Sequence, residues 1–402
     1  MRRVLIAGGG TGGHVFPMIA VAEALRVEAR DVEITFVGTG RGIETSAVPR
    51  ELGRLELLDV LPLRGRGLAG LVRGALRALA ILPRARELVR TVGPDVVFSV
   101  GGYAAGPVTL AAWSLGIPVT MLEPNAVLGF TNKLLAPFVR RAYLGFPETR
   151  GLFAAERAMW TGVPLRKRFS PAPRDAEERV VVLVMGGSQG AQKLNQDVPR
   201  ALATLGDRSL SIVHQTGRDK FAEVVALYRE LGLEDRARVV PFIDDVAAEL
   251  AASDVVVERS GAGSLAELCA VGRAAVLVPY PFAADDHQRH NAESLARDGA
   301  AVSVRQAEAT VERLSREIGA LVGDAALRCA MAERARGRGK PDAAMAVARD
   351  LLALAEGKRS LVSPTRESRL AHETDGEGGA GEAGELRVGV SVPHRAKAEV
   401  LS

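Results

Sequence analysis

Cysteine is nearly absent: Cys269 and Cys329 are the only two in 402 residues. Two unpatterned thiols exclude a disulfide framework and a thiolate metal cluster, and both read as small core residues. Also missing is any run of the roughly 18 to 20 uncharged apolar residues that span a membrane. The N-terminus enters a strand without a signal-peptide pattern, so a cytoplasmic location is expected. Neither sign of charge dominates: 52 Lys and Arg stand against 48 Asp and Glu, a formal net charge of +4. So mild a balance argues against nucleic-acid binding. What remains, 47% apolar and 25% charged, is the composition of a soluble globular chain long enough for two domains.

Apolar β-prone runs alternate with helical patterns throughout: "VLIAG", "EITFVG", "DVVFSVGG" and "PVTMLE", then "VVVLVMGG", "LSIVHQTG", "ARVVPFI", "DVVVER" and "AAVLVPY". Such alternation predicts parallel sheets wound on both faces by helices. The series restarts, since "VLIAGGGTGGH" at 4–14 is echoed by "VLVMGGSQGAQ" at 182–192. Between the halves, "TGVPLRKRFSPAPRDAEER" reads as a linker. The expected fold is α/β, two Rossmann-like domains facing across a cleft where the carboxyl ends of both sheets meet. Beyond about 356 the composition turns to "HETDGEGGAGEAGELRVG", which predicts a disordered tail.

Residues 8–13 read "GGGTGG" and His14 follows at once, on a strand-to-helix turn. Bare backbone there lets a ligand touch main-chain N–H groups beside a helix N-terminus, a setting that suits phosphate. Gly8, Gly10 and Gly13 also satisfy the dinucleotide pattern G-x-G-x-x-G, but the second strand ends in Val37, Gly38 and Thr39 with no acid to hold a ribose. A purely structural tight turn is the third reading. "SVGGYAAGP" at 99–107 repeats the design, and a second anion loop implies a second phosphorylated ligand or a diphosphate. In the other half, "GGSQGA" supplies Ser188, and "ERSGAGSLAE" at 258–267 supplies another helix start. Glu267 either complements that helix dipole or accepts hydrogen bonds from sugar hydroxyls. "DDHQRHNAE" at 285–293 gathers the amides and carboxylates that hydroxyl-rich ligands require.

The ordered set "GGGTGGHVFP", "GGYAAGP", "EPNAVLGFTNKLL", "GGSQGAQKLN", "RSGAGSLAE" and "QRHNAE" resembles the MurG family, bacterial N-acetylglucosaminyltransferases of peptidoglycan synthesis, over roughly residues 1–355. The resemblance implies the glycosyltransferase-B fold. It assigns 1–162 to a membrane-facing acceptor domain, 163–341 to a UDP-sugar domain, 342–355 to a helix returning to the first domain and 356–402 to the tail. It implies UDP-N-acetylglucosamine as sugar donor and undecaprenyl-diphospho-muramoylpentapeptide as acceptor, with no cofactor. An anionic inner-membrane surface on the cytoplasmic side and proteins of cell division and elongation are the implied partners.

Carried over residue by residue, the family pattern places Thr11, Gly12, Gly13, Asn125, Arg166, Ser188, Ile243, the turn Ala262, Gly263, Ser264, Leu265, Ala266 and Glu267, and Gln288 around the UDP-sugar. Glu267 would hold the ribose, Gln288 and Asn291 the sugar hydroxyls, and Ile243 the uracil through its backbone. Pro124 and Val163 stand where the family often has Gln and Asn, which bears on the positioning of Asn125 and Arg166.

Direct displacement at the anomeric carbon needs a base and positive potential for the departing diphosphate. His14 is the candidate base, or else it orients the loop. No D-x-D occurs in the sequence, so helix N-termini behind "GGSQGA" and "RSGAGS", with Arg259 nearby, would take the place of a metal. Residues 64–90 carry seven arginines against Glu87 alone, with Leu68, Val72, Ala75, Leu79 and Leu82 on one helical face and Arg73, Arg77 and Arg84 beside it. That segment is either an ordinary packed helix or, with Trp113, Arg140 and Arg141, a face for anionic lipid. Three other classes share parts of this pattern: a non-hydrolysing UDP-sugar epimerase, a secondary-metabolite glycosyltransferase and a non-catalytic nucleotide-sugar scaffold.

Overall fold

The computed structural model describes residues 2–10, 12–40, 44–48, 52–58, 68–102, 104–166, 168–172, 179–187, 189–207 and 209–357, without the side chains of 46 and 68–79. Thr11, Ser188, the expected tail from 358 onward and the apolar and basic side chains of 64–79 therefore lie outside the described residues.

Seven parallel strands form the first sheet: β1 (Arg3–Ala7), β2 (Glu33–Gly38), β3 (Arg54–Leu57), β4 (Val96–Ser99), β5 (Val119–Glu123), β6 (Arg141–Leu144) and β7 (Ala158–Trp160). Their order is β3-β2-β1-β4-β5-β6-β7. Six more form the second: β8 (Val181–Met185), β9 (Ser211–Gln215), β10 (Ala237–Val240), β11 (Val255–Glu258), β12 (Ala274–Leu277) and β13 (Val302–Ser303). These run β10-β9-β8-β11-β12-β13, again all parallel. Central strands such as β4 and β11 are buried throughout, as unbroken Val-rich runs covered on both faces must be.

Helices of the first lobe are α1 (Gly12–Glu28), α2 (Glu44–Ala47), α3 (Leu68–Val92), α4 (Ala105–Ser114) and α5 (Phe130–Leu135). The second lobe carries α6 (Gln192–Thr204), α7 (Phe221–Glu230), α8 (Val246–Ala252), α9 (Ala262–Val271), α10 (His287–Arg297), α11 (Val311–Gly323) and α12 (Ala325–Arg338). Both sheets belong to one compact unit.

The last helix, α13 (Ala343–Ala355), buries Val347, Leu351 and Leu354 with Val4, Ile6 and Phe98 of the first sheet. Its fully buried Asp350 accepts hydrogen bonds from Tyr143 Oη at 2.9 Å and Arg141 Nε at 3.1 Å. Arg141, expected on a lipid-facing surface, is thus an internal brace, because a buried carboxylate needs a cation beside it. Arg140 stays exposed.

Candidate functional site

Strand order reverses between β1 and β4 and between β8 and β11, and a crevice opens at the carboxyl ends of the strands at such a reversal. The glycine-bearing segments at 8–10, 100–102, 186–187 and 259–261 follow those four strands.

In the first lobe the two loops pack backbone to backbone. Gly9 and Gly102 both have positive φ, and a Cβ on Gly102 would lie 2.6 Å from the Gly9 carbonyl oxygen. His14 sits in the first turn of α1, with Nε2 3.4 Å from where a Cβ on Gly101 would stand. Burial lowers its pKa, the Gly9 carbonyl raises it, His287 of the facing lobe lowers it and Glu44 raises it. No acceptor meets Nδ1 at hydrogen-bonding geometry. The imidazole is therefore held largely neutral, the form a general base requires.

Loop 8–10 differs from the expected phosphate cradle. Gly10 N–H donates to Glu44 Oε2 at 2.9 Å, so a carboxylate of the chain already occupies that donor.

After β5, the buried Glu123 accepts from Asn125 N at 3.0 Å, Gly129 N at 2.9 Å and Asn132 Nδ2 at 2.9 Å, shaping the loop that carries Asn125. Burial raises its pKa against the pull of these bonds. Asn291 was expected on a sugar hydroxyl. In the structure its amide bonds protein groups: Oδ1 accepts from Ala126 N at 2.8 Å, and Nδ2 donates to Asn125 Oδ1 and Ser260 O at 3.1 Å each. The residue is fully buried between the lobes.

In the second lobe, Gly261 is the N-cap of α9, and with no side chain to bond them it leaves the first-turn N–H groups of Ala262, Gly263 and Ser264 without a side-chain cap. A Cβ on Gly263 would meet nothing within 4 Å, so there is room for a ligand. From Leu265 the turn serves the fold: its N–H bonds Gly261 O, and its side chain is buried in the core. Glu267, one turn further, is beyond the reach of a first-turn dipole effect. Burial lifts its pKa to about 7 against the pull of Arg166 and Arg168. Arg166 lies 5.0 Å over the half-exposed Phe16 ring, joining the second lobe to α1 two residues past His14.

Arg259, expected beside the diphosphate, braces the loop after β12. Its guanidinium donates to Val278 O at 2.8 Å, Pro279 O at 3.1 Å and Gln306 Oε1 at 2.7 Å. Gln288 accepts from Tyr280 N–H at 3.0 Å on the same loop. Asp285 and Asp286 adopt φ of 52° and 53°, a left-handed pair that launches α10, where the His287 ring meets Ala284 O at 2.7 Å. Ile243 is buried, and its neighbour Phe242, on the segment that follows β10, is exposed. His287 lies within "DDHQRHNAE" and Phe16 within "GGGTGGHVFP", whereas Phe242 stands only in the apolar run "ARVVPFI" and Glu44 outside every motif of the sequence analysis.

A two-lobed parallel α/β chain with a glycine turn after each strand at which the order reverses is the build of nucleotide-sugar glycosyltransferases. Models of the glycosyltransferase family 28 N-terminal and C-terminal domains match residues 4–144 and 181–347. Over 387 residues the chain is 56% identical to the UDP-N-acetylglucosamine–N-acetylmuramyl-(pentapeptide) pyrophosphoryl-undecaprenol N-acetylglucosamine transferase of Sorangium cellulosum, covering 94% of this chain and 96% of that one. The crystal structure of Acinetobacter baumannii MurG superposes with a TM-score of 0.75 at 32% identity, over 88% of this chain and 99% of that one. The chain belongs to the MurG family. A putative UDP-N-acetylglucosamine 2-epimerase from Listeria monocytogenes shares the fold alone, at TM-score 0.66 and 14% identity over 90% and 99% of the two chains.

Proposed function

We propose that the chain transfers N-acetylglucosamine from UDP-N-acetylglucosamine to the 4-hydroxyl of undecaprenyl-diphospho-N-acetylmuramoyl-pentapeptide, inverting the anomeric centre and converting lipid I to lipid II. The observation that carries this reading is the 56% identity to a MurG-family transferase over 94% of the chain, supported by the glycine turns that follow the strands where each sheet's order reverses.

Residues 163–341 take the UDP-sugar, and 1–162 take the acceptor. Glu267 accepts from the ribose, Phe242 and Ile243 cover the uracil, and Gln288 reaches the sugar. Gly12, Gly13, Asn125 and Arg166 complete the wall, and Thr11 and Ser188, outside the described residues, are expected to bind the UDP-sugar with them. His14 removes the proton from the attacking hydroxyl as UDP leaves toward the N–H groups of 262–264, whose dipole end stabilises the departing diphosphate. With that potential supplied by backbone, transfer is metal-independent and persists in excess chelator; loss restored by magnesium refutes this.

Among the described residues no helix is long and apolar enough to cross a membrane. The acceptor's lipid lies in an anionic membrane surface met by Trp113, Phe130 and Leu134, all exposed, with the cations Lys133 and Arg140. Phe130 and Leu134 share one face of α5, and Thr131 lies 3.9 Å from a Cβ on Gly106 behind the second glycine loop. Radiolabelled N-acetylglucosamine from UDP should partition into an organic phase with a polyprenyl diphospho-muramoyl acceptor. Label that stays aqueous as free or epimerised sugar overturns the reading.

A further inference from the structure

The side chain that touches both the loop after β1 and the loop after β2 is Glu44, the first residue of α2 and fully buried. Its Oε1 accepts from Thr39 N at 2.7 Å and Thr39 Oγ1 at 2.9 Å, and its Oε2 accepts from Gly10 N at 2.9 Å. Glycines seal it on two sides: a Cβ on Gly9 would come within 2.4 Å of Oε1, and one on Gly38 within 2.6 Å of Cγ. Gly9 in turn packs against Gly102, and the ring of His14 lies by the Gly9 carbonyl and Gly101. The carboxylate, Gly9 and the second glycine loop thus form a stack with the imidazole at its edge.

We propose that Glu44 is the positioning residue for His14: it fixes the first glycine loop so that the imidazole faces the crevice, and it places a buried negative charge behind that ring. One bond from Gly10 ties the glycine loop to the carboxylate, and two from Thr39 anchor that carboxylate to the end of β2, which restrains the loop as a base needs in order to meet a hydroxyl at bonding distance. Burial would push the Glu44 carboxyl up, but the bonds from Gly10 and Thr39 hold it below the ordinary value, so it is charged at neutral pH. Of the charged and titratable groups that bear on His14, Glu44 raises its basicity and His287 on α10 lowers it. The negative charge offsets part of the burial that would otherwise leave the base too weak.

The proposal rests on the reading of His14 as the base, and the test separates the two. The imidazole resonance of His14, assigned by its absence in His14→Ala, is titrated by NMR in the intact protein and in Glu44→Gln, alongside steady-state kinetics. Glu44→Gln should titrate lower by on the order of half a pH unit or more. The acid limb of the kcat profile should move down with it, with kcat reduced about tenfold or more and the KM for UDP-N-acetylglucosamine within about twofold. An unmoved His14 titration, or a moved titration with unchanged kcat, overturns the proposal. If His14→Ala loses less than about tenfold while the titration still moves, the base reading alone fails. Should Glu44→Gln not fold, Thr39→Val removes one of the three bonds and keeps the charge. It should lower kcat a few-fold with KM for the sugar nucleotide unchanged, and an unchanged kcat overturns the proposal.

Discussion

Asn291 Nδ2 donates to Asn125 Oδ1 at 3.1 Å, joining two asparagines 166 positions apart that belong to opposite lobes. The same Asn291 accepts from Ala126 N–H, so one buried amide clasps the two halves. Asn291→Ala should lower the unfolding free energy by about 1–3 kcal/mol, because it leaves buried partners unpaired. Asn291→Asp should cost more, since it turns an acceptor toward Asn125 Oδ1 and Ser260 O. Thermal denaturation decides this, and wild-type stability in both variants would refute the clasp.

His14→Ala should lower kcat by about 10²–10⁴ with sugar-nucleotide KM nearly intact. A loss under about tenfold would favour the alternative in which His14 only orients its loop.

Glu267 titrates near 7 because burial favours its neutral form. If it accepts from ribose hydroxyls as a carboxylate, UDP affinity should weaken about tenfold from pH 8 to pH 6, as the ionised fraction falls through that pKa. Glu267→Gln should bind weakly and show a flattened profile. Stability runs the other way: a raised carboxyl pKa stabilises the fold at low pH, and that contribution is lost as pH rises from the usual carboxylate value through about 7. Calorimetric titration with UDP across this range is the check, and a wild-type profile as flat as that of Glu267→Gln would remove the ribose role.

Trp113→Glu combined with Leu134→Glu should release the protein from anionic vesicles and slow transfer to a long-chain polyprenyl acceptor, while a short soluble acceptor analogue reacts as before. Adding salt should weaken wild-type vesicle binding through the Lys133 and Arg140 contribution, about 1 kcal/mol per charge at most. Equal loss with both acceptors and unchanged vesicle binding would assign the patch to folding.

Asp350→Ala strands Arg141 and Tyr143 in the first-lobe core. Removing one partner of a buried ion pair typically costs about 3–5 kcal/mol. Denaturant unfolding should show a loss of that order with UDP affinity unchanged below the transition, whereas a loss under about 1 kcal/mol would mean that α13 is held by apolar packing alone.

The sequence by itself determined the alternation of buried strands and helices, the restart at 181 and the glycine turns, because those patterns report local backbone needs and burial on a face. It also determined family membership, through six ordered motifs. Only the tertiary structure decided which partner each polar side chain takes. Asn291 has the amide that a sugar hydroxyl requires, yet both its ends meet protein. Arg141 has the charge that lipid attracts, yet it faces Asp350, 209 positions away. Glu44 stands in a short stretch with no pattern of its own and meets Gly10 only because β1 and β2 lie side by side. A carboxylate or guanidinium can satisfy its hydrogen bonds with many partners, and which one it meets depends on how the strands are ordered in the sheet, an arrangement set by the packing of the whole chain.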